Sequence, residues 1–119
     1  MKEIKLIIRQ GPDGKSICTA EGTDLHALLG NGAALAIGNF GELCLYTAQQ
    51  WKKVAEYISR MHPDDTRILR PFMSSARRVE WEGEGILLSP KHAQYANIED
   101  SALMTEGEDG IWRVRGRAE

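Results

Sequence analysis

Two pairs of glycines in similar turns constrain the fold most strongly, because the residues of each pair are separated by nearly the same length of the 119-residue chain. Gly41 and Gly110 lie 69 residues apart (110 minus 41), and Gly14 and Gly85 lie 71 apart (85 minus 14). Each belongs to a turn between short apolar runs, where glycine can adopt the positive backbone angles of tight hairpins. Near-equal offsets of equivalent turns are typical of a tandem duplication. The sequence therefore predicts two similar halves.

The first half is predicted to be a hairpin, a short helix and a second hairpin. Its strands are expected at residues 5–9, 16–19, 33–37 and 43–46, where apolar runs flank glycine-containing turns. Between the hairpins, either Thr23 or Asp24 can cap a helix of about one and a half turns, and Gly30 can end it in a left-handed conformation.

The second half repeats this order of elements. Its strands are expected at residues 79–81, 86–88, 102–105 and 111–114, with residues 82–85 and 107–110 as the turns. Ser89 can cap a short helix over 90–95, because Pro90 is tolerated at the first helical position.

A helical segment is predicted to join the halves. Thr47 is a good N-cap for residues 49–61, where apolar residues recur at spacings of three and four, and Pro63 ends this helix before a second one. We therefore predict an α+β chain with a first half at 1–48, an amphipathic helical connector at 49–76 and a second half at 77–119.

Composition limits the kinds of protein that this chain can be. Apolar residues make up 42% and charged residues 27%, as in an ordinary globular protein with a packed core. The net charge of -2 means that any affinity for nucleic acid must come from a local basic patch. No apolar stretch approaches the roughly 20 residues that span a bilayer, and the charged N-terminus lacks a signal-peptide core. A cytoplasmic protein without a membrane partner is expected.

Catalytic and metal-binding motifs are not found in the sequence. The three histidines, His26, His62 and His92, lack the spacing of a zinc site, and Cys18 and Cys44 fall in apolar segments where free cysteine behaves as a small hydrophobe. No phosphate-binding loop or nucleophile elbow is present. We expect no metal, no cofactor and no enzymatic activity.

Residues around the middle of the chain resemble a known family of bacterial transcriptional repressors. Residues 41–47, which read Gly-Glu-Leu-Cys-Leu-Tyr-Thr, lead to Trp51 and are similar to the MraZ pattern of a glycine turn, an apolar strand ending in Tyr, and a helix with Trp. Further similarity lies in Arg67, Leu69, Arg70, Phe72 and Ala76, in Val79, Glu80, Gly85, Leu87 and Pro90, and in Tyr95, Ala96, Ile98 and Glu99. The resemblance covers roughly residues 24–114.

The resemblance implies a fold and a function. MraZ proteins consist of two AbrB-like swapped-hairpin halves, assemble into ring-like homo-oligomers, and bind direct repeats in double-stranded DNA upstream of the cell-division and cell-wall gene cluster. The implied activity is transcription regulation by a DNA-binding repressor in the cytoplasm, associated with the nucleoid.

DNA contact in that family comes from a loop of the type Asp-x-x-Gly-Arg in each half. In the first loop of this chain Gly14 and Lys15 match the glycine and the arginine, and Arg9 is a neighbouring cation. Lysine can contact a phosphate but lacks the bidentate fork of arginine. In the second loop, over residues 82–86, Ile86 stands where the arginine is expected and Glu84 adds negative charge. The second loop is therefore expected to repel DNA.

Two functions remain open from the sequence. The densest basic group consists of Arg67, Arg70, Arg77 and Arg78. These arginines can form a phosphate-binding patch, and Arg77 and Arg78 are therefore added to the candidate DNA contacts. Alternatively, they can pair with Asp64, Asp65 and Glu80. The frequency of surface ion pairs favours pairing. The first function is a MraZ-like regulator with weakened DNA-contact loops. The alternative is an oligomeric protein-interaction module on the same scaffold that has lost DNA binding.

Overall fold

The computed structural model describes residues 2–117, and its strands and helices follow the predicted order closely. The strands are β1 (Glu3–Gln10), β2 (Ser16–Ala20), β3 (Ala34–Ile37), β4 (Leu43–Tyr46), β5 (Arg77–Arg78), β6 (Glu80–Glu82), β7 (Gly85–Leu88), β8 (Ser101–Glu106) and β9 (Trp112–Gly116). The helices are α1 (Leu25–Leu29), α2 (Ala48–Ser59), α3 (Pro63–Thr66), α4 (Arg70–Ser75) and α5 (Pro90–Tyr95). The predicted α+β class is confirmed.

The nine strands within residues 2–117 form one antiparallel sheet in the order β5, β3, β4, β9, β8, β1, β2, β7, β6. The two strands at the ends of this order, β5 and β6, are separated in the chain by Val79 alone. The sheet therefore curls round until its ends meet, which makes a nearly closed barrel. The amide of Val79 donates to the carbonyl oxygen of Ala33 at 2.9 Å and helps to hold this seam.

The two halves interlock through this sheet. The β1–β2 hairpin of the first half lies between β8 and β7 of the second half. At the centre of two inter-half pairings, Cys44 lies opposite Arg113, 69 residues away (113 minus 44), and Ile17 lies opposite Leu87, 70 away (87 minus 17). The first distance equals the 69-residue offset of Gly41 and Gly110, so Cys44 faces its counterpart in the repeat. The second distance is one residue short of the 71-residue offset of Gly14 and Gly85.

Local sequence explains where the helices begin. The side chain of Asp24, rather than Thr23, accepts a hydrogen bond from the amide of Ala27 at the start of α1, while Gly30 ends that helix at φ 78°. Thr47 and Gln50 form a reciprocal capping box at the start of α2. Ser89 caps α5 through the amide of His92.

The main core fills the barrel. Leu6, Met104 and Trp112 are almost completely buried in it, and so is Cys18, whose thiol is free. Burial in this apolar interior raises the pKa of the Cys18 thiol to about 12. The thiol therefore stays protonated, as expected of a structural cysteine.

A smaller cluster lies outside the barrel, beneath the helical connector. Ala36, Cys44 and Tyr46 point away from the barrel interior and pack against Trp51 and Phe72. None of the residues in α2, α3 or α4 is fully buried, and Ile68 is 81% exposed. The amphipathic connector was predicted correctly, but its apolar face is only partly covered.

Neighbouring residues of β1 test which face of the strand supports the fold. Leu6→Ala should lower the free energy of unfolding by about 2–5 kcal/mol, because it leaves a cavity in the barrel. Ile7→Ala, on the outer face at 46% exposure, should cost less than about 1 kcal/mol. Chemical denaturation of both variants checks this, and equal losses would contradict the barrel interior described above.

Candidate nucleic-acid interface

The first hairpin loop is a shaped turn of five residues between Gln10 and Ser16. Residues 12–14 form a tight turn, in which Asp13 and Gly14 have φ values of 56° and 74°. The left-handed region favours glycine, which explains Gly14. The amide of Gly11 donates to the carbonyl oxygen of Lys15 at 2.8 Å, so the loop is closed and Lys15 lies at its exit.

Lys15 has a counter-ion from the other half of the chain. Its Nζ lies 3.3 Å from Oε2 of Glu80, which belongs to β6. Both side chains are partly exposed, so the pair adds little to stability. The sequence indicates Glu80 as a possible partner of the arginine group, whereas in the structure Glu80 pairs with Lys15.

Three of the candidate DNA contacts come together around one cleft. Lys15, Arg77 and Arg78 all line it, although 62 residues of chain separate Lys15 from Arg77 (77 minus 15). Arg9 does not line this cleft; it is an exposed residue of β1 opposite Ile17. The structure thus unites the first loop with the arginines at the start of the second half.

Lys91 was missed by the sequence analysis and lines the same cleft. It lies in the first turn of α5, two residues after the N-cap Ser89, just as His26 lies two residues after the N-cap Asp24 in α1. This equivalence of position in the repeat is the sequence signal that points to Lys91. In the structure the two short helices pack reciprocally on the hairpins. His26 contacts the carbonyl oxygen of Gly83 at 2.9 Å in the second turn, and Pro90 lies beside Gly14 in the first.

Three arginines, one each in the connector, β5 and β9, have different hydrogen-bonding or ion-pair partners. Arg67 lies 3.7 Å from Asp64, as the pairing alternative predicted. Arg113 makes a two-pronged contact with Asp109, at 3.1 and 3.0 Å, and this hydrogen bonding lowers the pKa of the Asp109 carboxyl. Arg77 uses its Nη1 to donate to two backbone carbonyl oxygens, those of Ser74 and Ala76.

The second hairpin is built differently from the sequence prediction. Glu82 pairs with Gly85, so the turn is only Gly83 and Glu84, with Gly83 at φ 61°. Ile86 is a strand residue, as the strand predicted at 86–88 requires, opposite Cys18 and only 1% exposed. The turn is shorter than the predicted 82–85, because β6 and β7 pair as far as Glu82 and Gly85, and the family's loop pattern over 82–86 therefore ends inside β7. No cation can be presented from position 86 without burying it.

The structure shows no group of three or more His, Cys, Asp or Glu that could hold a metal ion within residues 2–117. Over the same residues, no helix is long and apolar enough to cross a membrane.

The chain is similar in sequence to a known bacterial regulator. The chain is 33% identical to the transcriptional regulator MraZ of Syntrophobacter fumaroxidans over an alignment 76 residues long, which covers 60% of this chain. The match confirms the resemblance to the MraZ family. The chain spans about half the length of this MraZ relative, with 51% of it covered. No model of a protein family matches the chain.

Arginine at two positions of the second hairpin tests its divergence from the MraZ loop pattern. Ile86→Arg should lower the free energy of unfolding by about 3–5 kcal/mol, because it buries an unpaired charge. Glu84→Arg, on the exposed turn, should change it by less than about 0.5 kcal/mol. Thermal or chemical denaturation of the two variants measures the difference. A stable Ile86→Arg protein would show that position 86 can reach solvent.

Proposed function

We propose that the chain is a MraZ-like, DNA-binding transcriptional regulator with weakened DNA-contact loops. It binds direct repeats in double-stranded DNA through its first hairpin loop, using Lys15, Arg77 and Arg78, with Gly14 shaping the loop and Arg9 as an outlying cation. The observation that carries the proposal is the convergence of Lys15, Arg77 and Arg78 on one cleft in a chain whose net charge is -2. The similarity to a transcriptional regulator over 60% of the chain supports it.

The finer features of the proposal follow from the same resemblance. The protein acts as a repressor, possesses the three-part division 1–48, 49–76 and 77–119, and works as a ring-like homo-oligomer in the cytoplasm, at the nucleoid. Its target is the cell-division and cell-wall gene cluster. Oligomerisation compensates for the weak single-subunit contact, because linked sites raise the effective affinity.

Lys15 contributes to binding as a phosphate contact rather than as a base reader. Its ammonium is a point charge without the planar fork that pairs with guanine. Glu80 competes with a phosphate for this ammonium, since both are anions at the same group. The proposal therefore predicts binding that depends strongly on salt and is restrained by Glu80.

The test is fluorescence polarisation with a duplex selected from a randomised library, across a salt series. Lys15→Ala should weaken binding about fivefold and reduce the slope of log affinity against log salt by about 1. Absent or salt-independent binding by the unaltered chain contradicts the regulator.

Glu80→Gln supplies the opposite arm of this experiment. It should tighten DNA binding, and the gain should vanish when Lys15 is also replaced by Ala, as a double-mutant cycle would show. Glu82→Gln removes the same charge from the same strand without touching Lys15, so it is the matched control. Equal gains from both glutamines would mean that only net charge matters.

The alternative function is an oligomeric interaction module that has lost DNA binding. It is favoured by one specific observation, the exposure of large apolar side chains, with Phe40 98% exposed at the β3–β4 turn and Tyr57 67% exposed on α2. Size analysis separates the alternatives: an oligomer without DNA affinity supports the module, and a monomer without partners contradicts it.

A further inference from the structure

The cleft beside the first loop has an interior as well as a basic rim. Its volume is about 640 Å³, and it lies between α4, α5 and the β3–β5 edge of the sheet. Its least exposed apolar lining comes from Leu35, Ile37, Val79 and Leu87, which lie beside the polar side chains of Ser74, Ser75, Ser89 and His92. A volume in the range of about 300–1,000 Å³ with an apolar lining is typical of sites for small molecules.

The rim of the cleft is strongly basic. Four cations line it, Lys15, Arg77, Arg78 and Lys91, against the single carboxylate of Glu80. Counting these groups gives +3 (four minus one), in a chain whose overall formal charge is -2. This contrast favours an anionic ligand at the mouth of the cleft, because the local field attracts negative charge.

Backbone contacts fix two of the polar groups at the cleft. Arg77 donates from Nη1 to the carbonyl oxygens of Ser74 and Ala76, at 3.0 and 2.7 Å. Since guanidinium has five donors, the remaining N–H groups can still bind an anion. His92 donates from Nε2 to the carbonyl oxygen of Ser75 at 3.0 Å, which ties α5 to the end of α4. The cleft walls are therefore held together by hydrogen bonds before any ligand arrives.

Duplex DNA does not account for the interior of this cleft. Phosphates on a duplex can reach the cations at the rim, but Leu35, Val79 and Leu87 offer them neither charge nor hydrogen bonds. An apolar interior beneath a basic rim is instead complementary to a molecule with one anionic head and one apolar body. The head would contact Arg77, Arg78 and Lys91, and the body would displace water from the interior.

We propose that this cleft binds a small amphipathic organic anion, with a carboxylate or phosphate head at the cations and an aliphatic or aromatic body against Leu35, Val79 and Leu87. The site goes beyond the proposed DNA contact, because its ligand enters an apolar interior. It shares the rim cations Lys15, Arg77 and Arg78 with the DNA-binding proposal. Ligand binding can be measured without DNA, so the two proposals fail separately.

The test is a nitrogen-15 NMR titration of the full chain with octanoate, phenyl phosphate and, as a neutral match, 1-octanol. Octanoate or phenyl phosphate should give saturable shifts centred on the amides of Leu35, Val79 and Leu87. The better of these anions should bind at least about fivefold more tightly than octanol, because its head makes charge-assisted hydrogen bonds. The relative strength of the two anions distinguishes a carboxylate ligand from a phosphate ligand.

Variants with opposite expected effects make this test independent of folding defects. Lys91→Gln and Arg77→Gln should weaken anion binding about threefold or more, and Glu80→Gln should tighten it. Lys52→Gln, on the exposed surface of α2, removes a cation that does not line the cleft and should bind as the unaltered chain does. The proposal would be overturned if octanol bound as tightly as the anions, or if neither anion gave a saturable shift. Shifts centred away from the cleft, or equal anion binding by the Lys91→Gln and Lys52→Gln variants, would also overturn it.

Discussion

Insertion of the β1–β2 hairpin between β7 and β8 is the interaction on which the rest of the structure depends. Neither half can close a barrel without it, because each half supplies only part of the sheet and must bury its apolar face against the other. The same insertion brings Lys15, at the exit of the first loop, within 3.3 Å of Glu80 in the second half. The basic cleft is thus a product of interlocking rather than of either half alone.

Interlocking also allows the tips of the two halves to differ while the fold is kept. Strand pairing and the inward-facing apolar residues must be kept in both halves, since they form one core. The hairpin tips are free of that requirement. One tip is a five-residue loop that ends in Lys15, and the other is a two-residue turn with Glu84, after which Ile86 lies in the core. The first tip therefore carries Asp13 and Lys15, whereas the second carries only the negative charge of Glu84.

Sequence patterns predicted the elements well because their signals are local. Capping residues marked the helices, and alternating apolar runs bounded by glycine marked the strands; even the offset of the repeat reappears in the pairing of Cys44 with Arg113. The match to a MraZ regulator over 60% of the chain confirmed the resemblance. The limits of the second turn were predicted less well, because strand pairing extended into residues that resemble a loop.

The candidate site could be predicted only in part, since its geometry is set by contacts between distant segments. Gly14 and Lys15 could be found from the motif, and Arg77 and Arg78 from their density. The Lys15–Glu80 pair, the place of Lys91 and the apolar interior of the cleft depend on how α5 and β5 pack near the first loop. Arg9 illustrates the reverse case, because proximity in sequence to the loop did not place it at the cleft.

Interlocking itself is tested most directly by native-state hydrogen exchange of the full chain in increasing denaturant. If the halves form one cooperative barrel, the slowest amides of β1 and β2 and those of β7 and β8 should exchange through the same global opening, with equal free energies and equal dependence on denaturant. If β1 and β2 opened at a lower free energy while β7 and β8 stayed protected, the halves would be separate units and the interlocked barrel would be contradicted.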